Sequence, residues 1–285
     1  MDLRVEPGQV LGLVGANGAG KTTFMRTLLD FIRPTSGSVS VFGHDSRRES
    51  VAVRQVTSYL PGELVIPGRL TGWDALGRFA FARGGLDRVR VKSLAERLDL
   101  DLSRRVGDLS KGNKQKVGVV LAFAPRSSLL VLDEPTSGLD PLLQREFAAL
   151  VAEWTGEGAT VLLSSHVMAE VEQIAQRVAL LREGRLQVVD DIATITANAR
   201  RRGRATPRSP ADLPGLAAAL AGLPGVSAVE PDDGAVRFAC AGDMDAVVKV
   251  LAAWPLRALD VAHADLEDAF FSAYDGPSAP DGTHA

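Results

Sequence analysis

Gly15-Ala16-Asn17-Gly18-Ala19-Gly20-Lys21-Thr22 decides the fold of this 285-residue chain. The stretch fits the phosphate-loop pattern G-x-x-x-x-G-K-[ST]. Residues 10–14 ahead of it, Val-Leu-Gly-Leu-Val, read as a strand, and Leu3 and Val5 read as strand before a Pro7-Gly8 turn. Residues 23–31 behind it place Phe24, Leu28 and Phe31 on one helical face, and Pro34-Thr35-Ser36-Gly37 stops that helix. A glycine-rich loop between strand and helix is the context such a match needs. Its glycines let the backbone N–H groups turn toward phosphates, and the helix N-terminus adds its positive end. Lys21 is expected to reach the β- and γ-phosphates, and the Thr22 hydroxyl to bind Mg²⁺.

The second carrier of chemistry is Leu129-Leu130-Val131-Leu132-Asp133-Glu134, an apolar strand that ends in two carboxylates. An apolar run of this kind suits a central parallel strand buried on both faces. Asp133 is the candidate for the Mg²⁺ shell, and Glu134 for polarising an attacking water. Further strands are predicted over 39–42, 160–164, 178–181 and 186–189. Helices are predicted over 141–154 and 167–177, and a helical region over about 70–125. Strands alternating with helices mean a mainly parallel sheet with its ligand at the strand C-termini.

Between the two motifs lies Leu109-Ser110-Lys111-Gly112-Asn113-Lys114-Gln115; after them come Pro135-Thr136-Ser137-Gly138-Leu139-Asp140 and Ser164-Ser165-His166. In this order and spacing, over roughly residues 3–190, the chain resembles the ATP-binding cassette (ABC) family. The resemblance implies an α/β phosphate-loop ATPase domain with a mainly parallel sheet and a helical subdomain. It implies ATP bound by Gly15 to Thr22 and by Thr23, with Mg²⁺ on Thr22 and Asp133 and catalysis by Glu134 and His166. It also implies a head-to-tail dimer, of two copies or of one copy and a relative. There Ser110 and Gly112 close over the partner's ATP and Asp140 lines the seam. The expected partners are separate membrane permease subunits, and the expected place is the cytoplasm, on the inner face of the cell membrane.

Three departures from the family pattern stand out. The usual L-S-G-G-Q has Lys111 and Asn113 in place of a glycine and the glutamine, while Ser110 and Gly112 are kept. This form resembles the L-S-K-G-N variant of bacterial exporter subunits and is read as active. The loop that normally carries a Mg²⁺-binding glutamine reads Tyr59-Leu60-Pro61-Gly62-Glu63, with Gly62 at the glutamine position and Glu63 the candidate oxygen donor. Coupling to the membrane partner falls by resemblance on 62–83, where Trp73, Leu76 and Phe79 share a helical face, read first as core packing and second as a partner-facing patch. Family members also have an earlier strand and an aromatic residue that stacks on adenine. With fourteen residues ahead of Gly15 the expectation is either an upstream start or an ATP held mainly by its phosphates.

The domain reading is a cassette over 1–195, a linker over 196–212, a small α+β accessory domain over 213–275 and a flexible tail over 276–285. Arg200, Arg201, Arg202 and Arg204 mark the linker, read as solvated, with acidic lipid headgroups or a partner as the second reading. The appendage reads helix, strand, strand, helix, strand, helix, with Gly234 turning the central strands. Its end, Asp265-Leu266-Glu267-Asp268-Ala269-Phe270-Phe271, resembles the tails of single-cassette drug and lipid exporter ATPases and points to export.

Composition narrows the alternatives. The net charge of -3 argues against a nucleic-acid partner. The single cysteine, Cys240, excludes an internal disulfide framework and reads as a buried structural thiol. No run approaches the ~20 apolar residues of a membrane span. His44, His263 and His284 show no metal-ligand spacing. The competing class is a soluble non-transport ABC ATPase acting on ribosomes or DNA, against which stand one cassette, no sustained heptads and no basic excess. A third class, a non-hydrolysing subunit, predicts loss of Glu134, which is present.

Overall fold

The structure, a computed structural model, describes residues 1–81, 85–198 and 200–262. The chain divides into two compact units, Met1–Asp190 and Asp191–Ala285.

Strand β1 (Val10–Val14) is buried at every position. After the phosphate loop come α1 (Lys21–Leu28), the short strands β2 (Ser40–Val41) and β3 (His44–Asp45), α2 (Ser50–Val56) and β4 (Thr57–Leu60). Three helices follow, α3 (Gly72–Phe81), α4 (Arg88–Arg97) and α5 (Lys111–Phe123), and then β5 (Leu129–Asp133). The unit closes with α6 (Pro141–Gly156), β6 (Thr160–Ser165), α7 (Met168–Ile174), β7 (Arg177–Arg182) and β8 (Arg185–Asp191). The sheet order is β4-β5-β6-β1-β7-β8, with β4 through β7 parallel as expected for an α/β fold. Asp133 pairs with Ser164 and Val14 with Ser165, so β1, β5 and β6 end flush at one edge. Gly12 lets α7 lie close on β1, because a Cβ there would fall 2.1 Å from the Val171 side chain.

Helices α3 to α5 pack around Leu76, Val91, Leu94, Leu98 and Val117, all buried. Phe123 of α5 meets Phe147 and Trp154 of α6 edge-on, with ring centroids 5.9 and 5.1 Å apart. Two readings of helical faces change. On α3 the buried side is Gly72, Ala75, Leu76 and Ala80, and Phe79 is 57% exposed, so the Trp73–Leu76–Phe79 stripe is not a core face. Helix α1 ends at Leu28, Asp30 turns left-handed at φ 57°, and Phe31 lies outside the helix and exposed. Residues 1–6 form no strand, although Leu3 and Val5 pack against the core edge.

The second unit corrects the linker reading. Residues Arg201–Pro207 are strand β9, which lies between β11 (Ala235–Cys240) and β12 (Leu256–Ala262) in the four-stranded order β10-β11-β9-β12, with β10 spanning Val226–Asp232. With helices α8 (Ile192–Asn198), α9 (Leu213–Ala221) and α10 (Asp245–Ala252), strand β9 completes a βαββαβ module from β9 to β12. The inward residues of β9 are Gly203, Ala205 and Pro207, too small to signal a period-two strand among four arginines. They are small because the Phe238 ring fills the space, its Cζ 2.1 Å from where a Gly203 Cβ would sit. Arg204 donates to Asp232 at 2.8 Å and Arg237 pairs with the same carboxylate at 3.2 Å, so the arginines serve a folded sheet. Cys240 is buried in this core with Leu216, Val236 and Leu251. The exporter-like end (265–271), His263, His284 and the tail lie outside the described residues, as does Arg83.

Candidate functional site

The flush ends of β1, β5 and β6 bring the motifs together. Gly15 leaves β1 at φ 155°, where a Cβ would lie 2.2 Å from the Leu181 carbonyl oxygen. Gly18 and Gly20 hold φ of 83° and 106°, in the region that favours glycine. Gly20 stands at the cap of α1 with no side-chain hydrogen bond, leaving the first N–H groups of the helix to an anion. Asn17 and Thr23 are exposed, while Ala19 is buried and its carbonyl accepts from the Gly184 N–H at 2.9 Å.

Lys21 is only 6% exposed. Its Nζ donates to the Gly15 oxygen at 2.6 Å and the Ala16 oxygen at 3.4 Å, and lies 3.6 Å from Glu134 Oε1. The Thr22 hydroxyl donates to Asp133 Oδ2 at 2.7 Å, and the Ser164 hydroxyl donates to Asp133 Oδ1 at 2.5 Å. Asp133 is thus a buried carboxylate satisfied on both oxygens by hydroxyls, with no cation paired to it among the described residues.

Glu134 occupies the left-handed region at φ 50°, a costly conformation for a residue with a Cβ. Its N–H donates to the Ser164 carbonyl at 3.1 Å, which fastens the turn. Its Oε2 meets His166 Nδ1 at 2.8 Å. A cavity of about 270 Å³ opens here, with Asn17, Thr22, Glu63, Asp133, Glu134 and His166 on its wall. Gly62 lies against Asp133, whose carboxylate would be 3.5 Å from a Gly62 Cβ, and this packing delivers Glu63 to the rim. A hydroxyl, a buried carboxylate and a second carboxylate beside a phosphate loop fit Mg²⁺, which takes few protein oxygens and completes its shell with phosphates and water. No cluster of three His, Cys, Asp or Glu able to hold a metal alone exists among the described residues.

Ser110, Gly112 and Asp140 stand apart from this cavity. Ser110 caps α5, accepting from the Asn113 N–H at 3.3 Å. A Cβ on Gly112 would lie 2.6 Å from the Gly138 oxygen, so the signature turn packs against the loop 135–140. Asp140 caps α6, its Oδ1 accepting from the Leu142 and Leu143 N–H groups at 3.0 Å each.

Two residues inside the quoted motif stretches have supporting roles that the sequence reading did not assign. Ser164 holds Asp133 and the Glu134 backbone at once. Gln115 on α5 donates to the Pro135 oxygen at 2.8 Å and the Glu134 oxygen at 3.3 Å, tying the signature helix to the catalytic turn. The motif stretches contain both, but their partners lie 20 and 31 residues away and no local signal joins them.

A second cavity, of about 1020 Å³, lies beside the first and is lined by Tyr59, Leu64, Leu76, Phe79 and Arg90. Burial pushes the Tyr59 phenol above its ordinary pKa there. Glu63 borders both cavities.

Comparison with known proteins agrees with this geometry. The family model described as ABC transporter matches residues 1–137. The bacitracin transport ATP-binding protein BcrA of Enterococcus faecalis is 36% identical over 192 residues, covering 65% of this chain and 61% of BcrA. The chain thus spans about three fifths of the length of that relative. The ABC transporter ATP-binding protein NatA of Bacillus subtilis (strain 168) is 34% identical over 191 residues, covering 65% of this chain and 77% of NatA. A solved ATP-binding subunit of an ABC transporter aligns with TM-score 0.63 at 31% identity, covering 68% of this chain and 82% of that one.

Proposed function

The chain belongs to the family of ABC transporter ATP-binding proteins, and from that premise we propose that it binds and hydrolyses Mg-ATP to drive an exporter. The observation that carries the reading is the arrangement in one cavity of Glu134 and His166 beside the Thr22–Asp133 pair, with the Lys21 ammonium 3.6 Å from Glu134.

Without phosphate, the Lys21 ammonium rests on loop carbonyls and near Glu134. An incoming γ-phosphate, more highly charged than a carboxylate, draws that ammonium away and leaves Glu134 with His166. Glu134 then accepts a proton from a water placed opposite the β–γ bridging oxygen. The water oxygen bonds to the γ-phosphorus, the bond to the bridging oxygen breaks, and ADP and inorganic phosphate leave. His166, held to Glu134 through Nδ1, presents its other ring nitrogen to the phosphate. Thr22 and Asp133 would hold Mg²⁺, with Glu63 as a further oxygen donor, and the ion when bound would neutralise phosphate charge.

A second cassette completes the site. Ser110 and Gly112 stand outside their own cavity, at an exposed helix start, as they must to close over ATP on a head-to-tail partner, with Asp140 at the seam. Separate membrane subunits are the remaining partners in this reading, supported by the likeness to transporter ATP-binding proteins; no helix among the described residues is long and apolar enough to span a membrane. The larger cavity, with Phe79 on its wall and Glu63 shared with the nucleotide cavity, is the proposed docking place and gives coupling a short route. The likeness to BcrA, described as a bacitracin transport ATP-binding protein, supports a transport role, and the proposal takes its direction as export and its place as the inner face of the cell membrane.

Light scattering on Glu134→Gln tests the reading. Removing the base stalls hydrolysis, so the expected result is a dimer in Mg-ATP and a monomer in Mg-ADP. A monomer in both, with no ATP turnover by the unmodified chain, refutes it.

A further inference from the structure

The loop that follows Glu134 and the loop that carries His166 meet on one carboxylate outside every motif. Glu170, on α7, accepts through Oε2 from the Thr136 hydroxyl at 2.6 Å and the Ser165 hydroxyl at 3.0 Å. Its Oε1 accepts from Gln144 Nε2 of α6 at 3.1 Å. Thr136 lies two residues past Glu134, and Ser165 lies immediately before His166. Both hydroxyl residues are buried, at 4% and 1% exposure, so water does not replace these bonds if they are lost.

We propose that Glu170 is a positioning residue that locks these two loops into one unit and so fixes Glu134 against His166. Three donors converge on it and none of them is charged, a set that an ionised carboxylate satisfies with charge-assisted bonds. The network continues outward on both sides. Ser165 Oγ also accepts from the Val167 N–H at 3.0 Å, and the Thr136 carbonyl accepts from the Leu139 N–H at 3.0 Å, next to Asp140. Glu134 needs such a hold because its left-handed φ of 50° relaxes unless both flanks are fixed. Ser164 fastens the near flank, through the Glu134 N–H, and Glu170 fastens the far flank, through Thr136. Glu170 touches no reacting atom. Its effect on chemistry passes through the Glu134–His166 contact, and this part rests on the ATPase reading above.

The test compares backbone hydrogen exchange in segments 134–140 and 164–168 of the full chain, unmodified and as Glu170→Ala, Glu170→Gln and Thr136→Val. Glu170→Ala is expected to speed exchange about tenfold in both segments. Thr136→Val touches one loop directly, yet is expected to speed exchange in 164–168 as well. Glu170→Gln keeps an oxygen for the two hydroxyls and, with Gln144 turned over, stays within about threefold of the unmodified chain. In steady-state assays Glu170→Ala lowers kcat for ATP by roughly tenfold with KM nearly unchanged, and Glu170→Gln restores it. A Thr136→Val chain with unchanged exchange at 164–168, or a Glu170→Ala chain altered only within α7, overturns the proposal. Absence of ATP turnover in the unmodified chain refutes the ATPase reading instead, and the exchange comparison still decides the role of Glu170.

Discussion

Replacing Gly203 by alanine should destabilise the second unit, and the size of the effect distinguishes a packed strand from a linker. Gly203 does not have a positive φ, so alanine fits its backbone. In an unstructured linker that change is close to neutral, because the residue is as free in the folded chain as in the unfolded one. In β9, however, the added Cβ falls 2.1 Å from Phe238 Cζ and 2.6 Å from both Cε atoms. The ring is 3% exposed, paired across the sheet with Gly203, and has nowhere to retreat without disturbing Leu216 and Leu251. Overpacking of this kind costs about 1–3 kcal/mol. Cys240, 1% exposed on the same strand as Phe238 and the only cysteine in the chain, reports the opening of this unit to a thiol reagent. If reclosing outruns labelling, the rate follows the open population and should rise roughly 5- to 150-fold. Adding Phe238→Leu should recover part of that loss, since the two sites share one space. Labelling of Gly203→Ala at or below the unmodified rate would refute the packing argument.

Three further outcomes are expected. Ser164→Ala leaves the buried Asp133 carboxylate with one hydroxyl partner and removes the hydroxyl's share of the Glu134 N–H bond, while the backbone carbonyl still holds that N–H, costing about 1.5–3 kcal/mol in denaturant unfolding of the first unit; an unchanged midpoint contradicts this. Glu63→Ala should raise the Mg²⁺ needed for half-maximal ATP hydrolysis by about tenfold, and an unaltered Mg²⁺ dependence shows that Glu63 is no ligand. Arg97 grips Glu153 with two nitrogens, at 2.7 and 2.8 Å, and holds that carboxyl below its ordinary value of 4.5. A lowered folded pKa contributes stability above the ordinary value that is lost as pH falls through the lower one. Arg97→Ala should therefore cost about 0.2–1 kcal/mol for this half-exposed pair at pH ~7, and the gap in urea midpoints should close as pH falls below the ordinary 4.5 and through the lowered value. A gap independent of pH would assign Arg97 a packing role alone.

How far the sequence reveals each part depends on where the deciding contacts lie. The phosphate loop is legible because its chemistry is contiguous: eight residues supply glycines, ammonium and hydroxyl in the order a strand–loop–helix needs. Asp133 and Glu134 are legible because an apolar run ending in acids has few other uses in a parallel sheet. Strand β9 is not legible, because its inward Gly203 is small to suit Phe238, some 35 residues later, and its outward positions carry arginines, of which Arg204 pairs with Asp232. Composition there describes the partners and conceals the strand. Phe79 misleads for the opposite reason. Periodicity locates an apolar stripe, but whether that stripe faces the core depends on how α3 is seated on its neighbours, and Gly72 at its start lies directly against Leu102 of the segment between α4 and α5.

The supporting shell of the site shows the same limit at shorter range. Ser164, Gln115 and Glu170 bridge separations of 31, 20 and 34 residues to Asp133, Pro135 and Thr136. No spacing rule joins those pairs, and each residue type is ordinary at its own position. What joins them is the register that ends β1, β5 and β6 at one edge, so that polar groups from three chain segments must satisfy one another away from water. Motif residues supply the reacting groups, and this shell sets the angle at which they meet. Conservative changes at Ser164, Gln115 or Glu170 should therefore act on turnover more than on nucleotide affinity, because the phosphate loop stands without them and the Glu134–His166 contact does not.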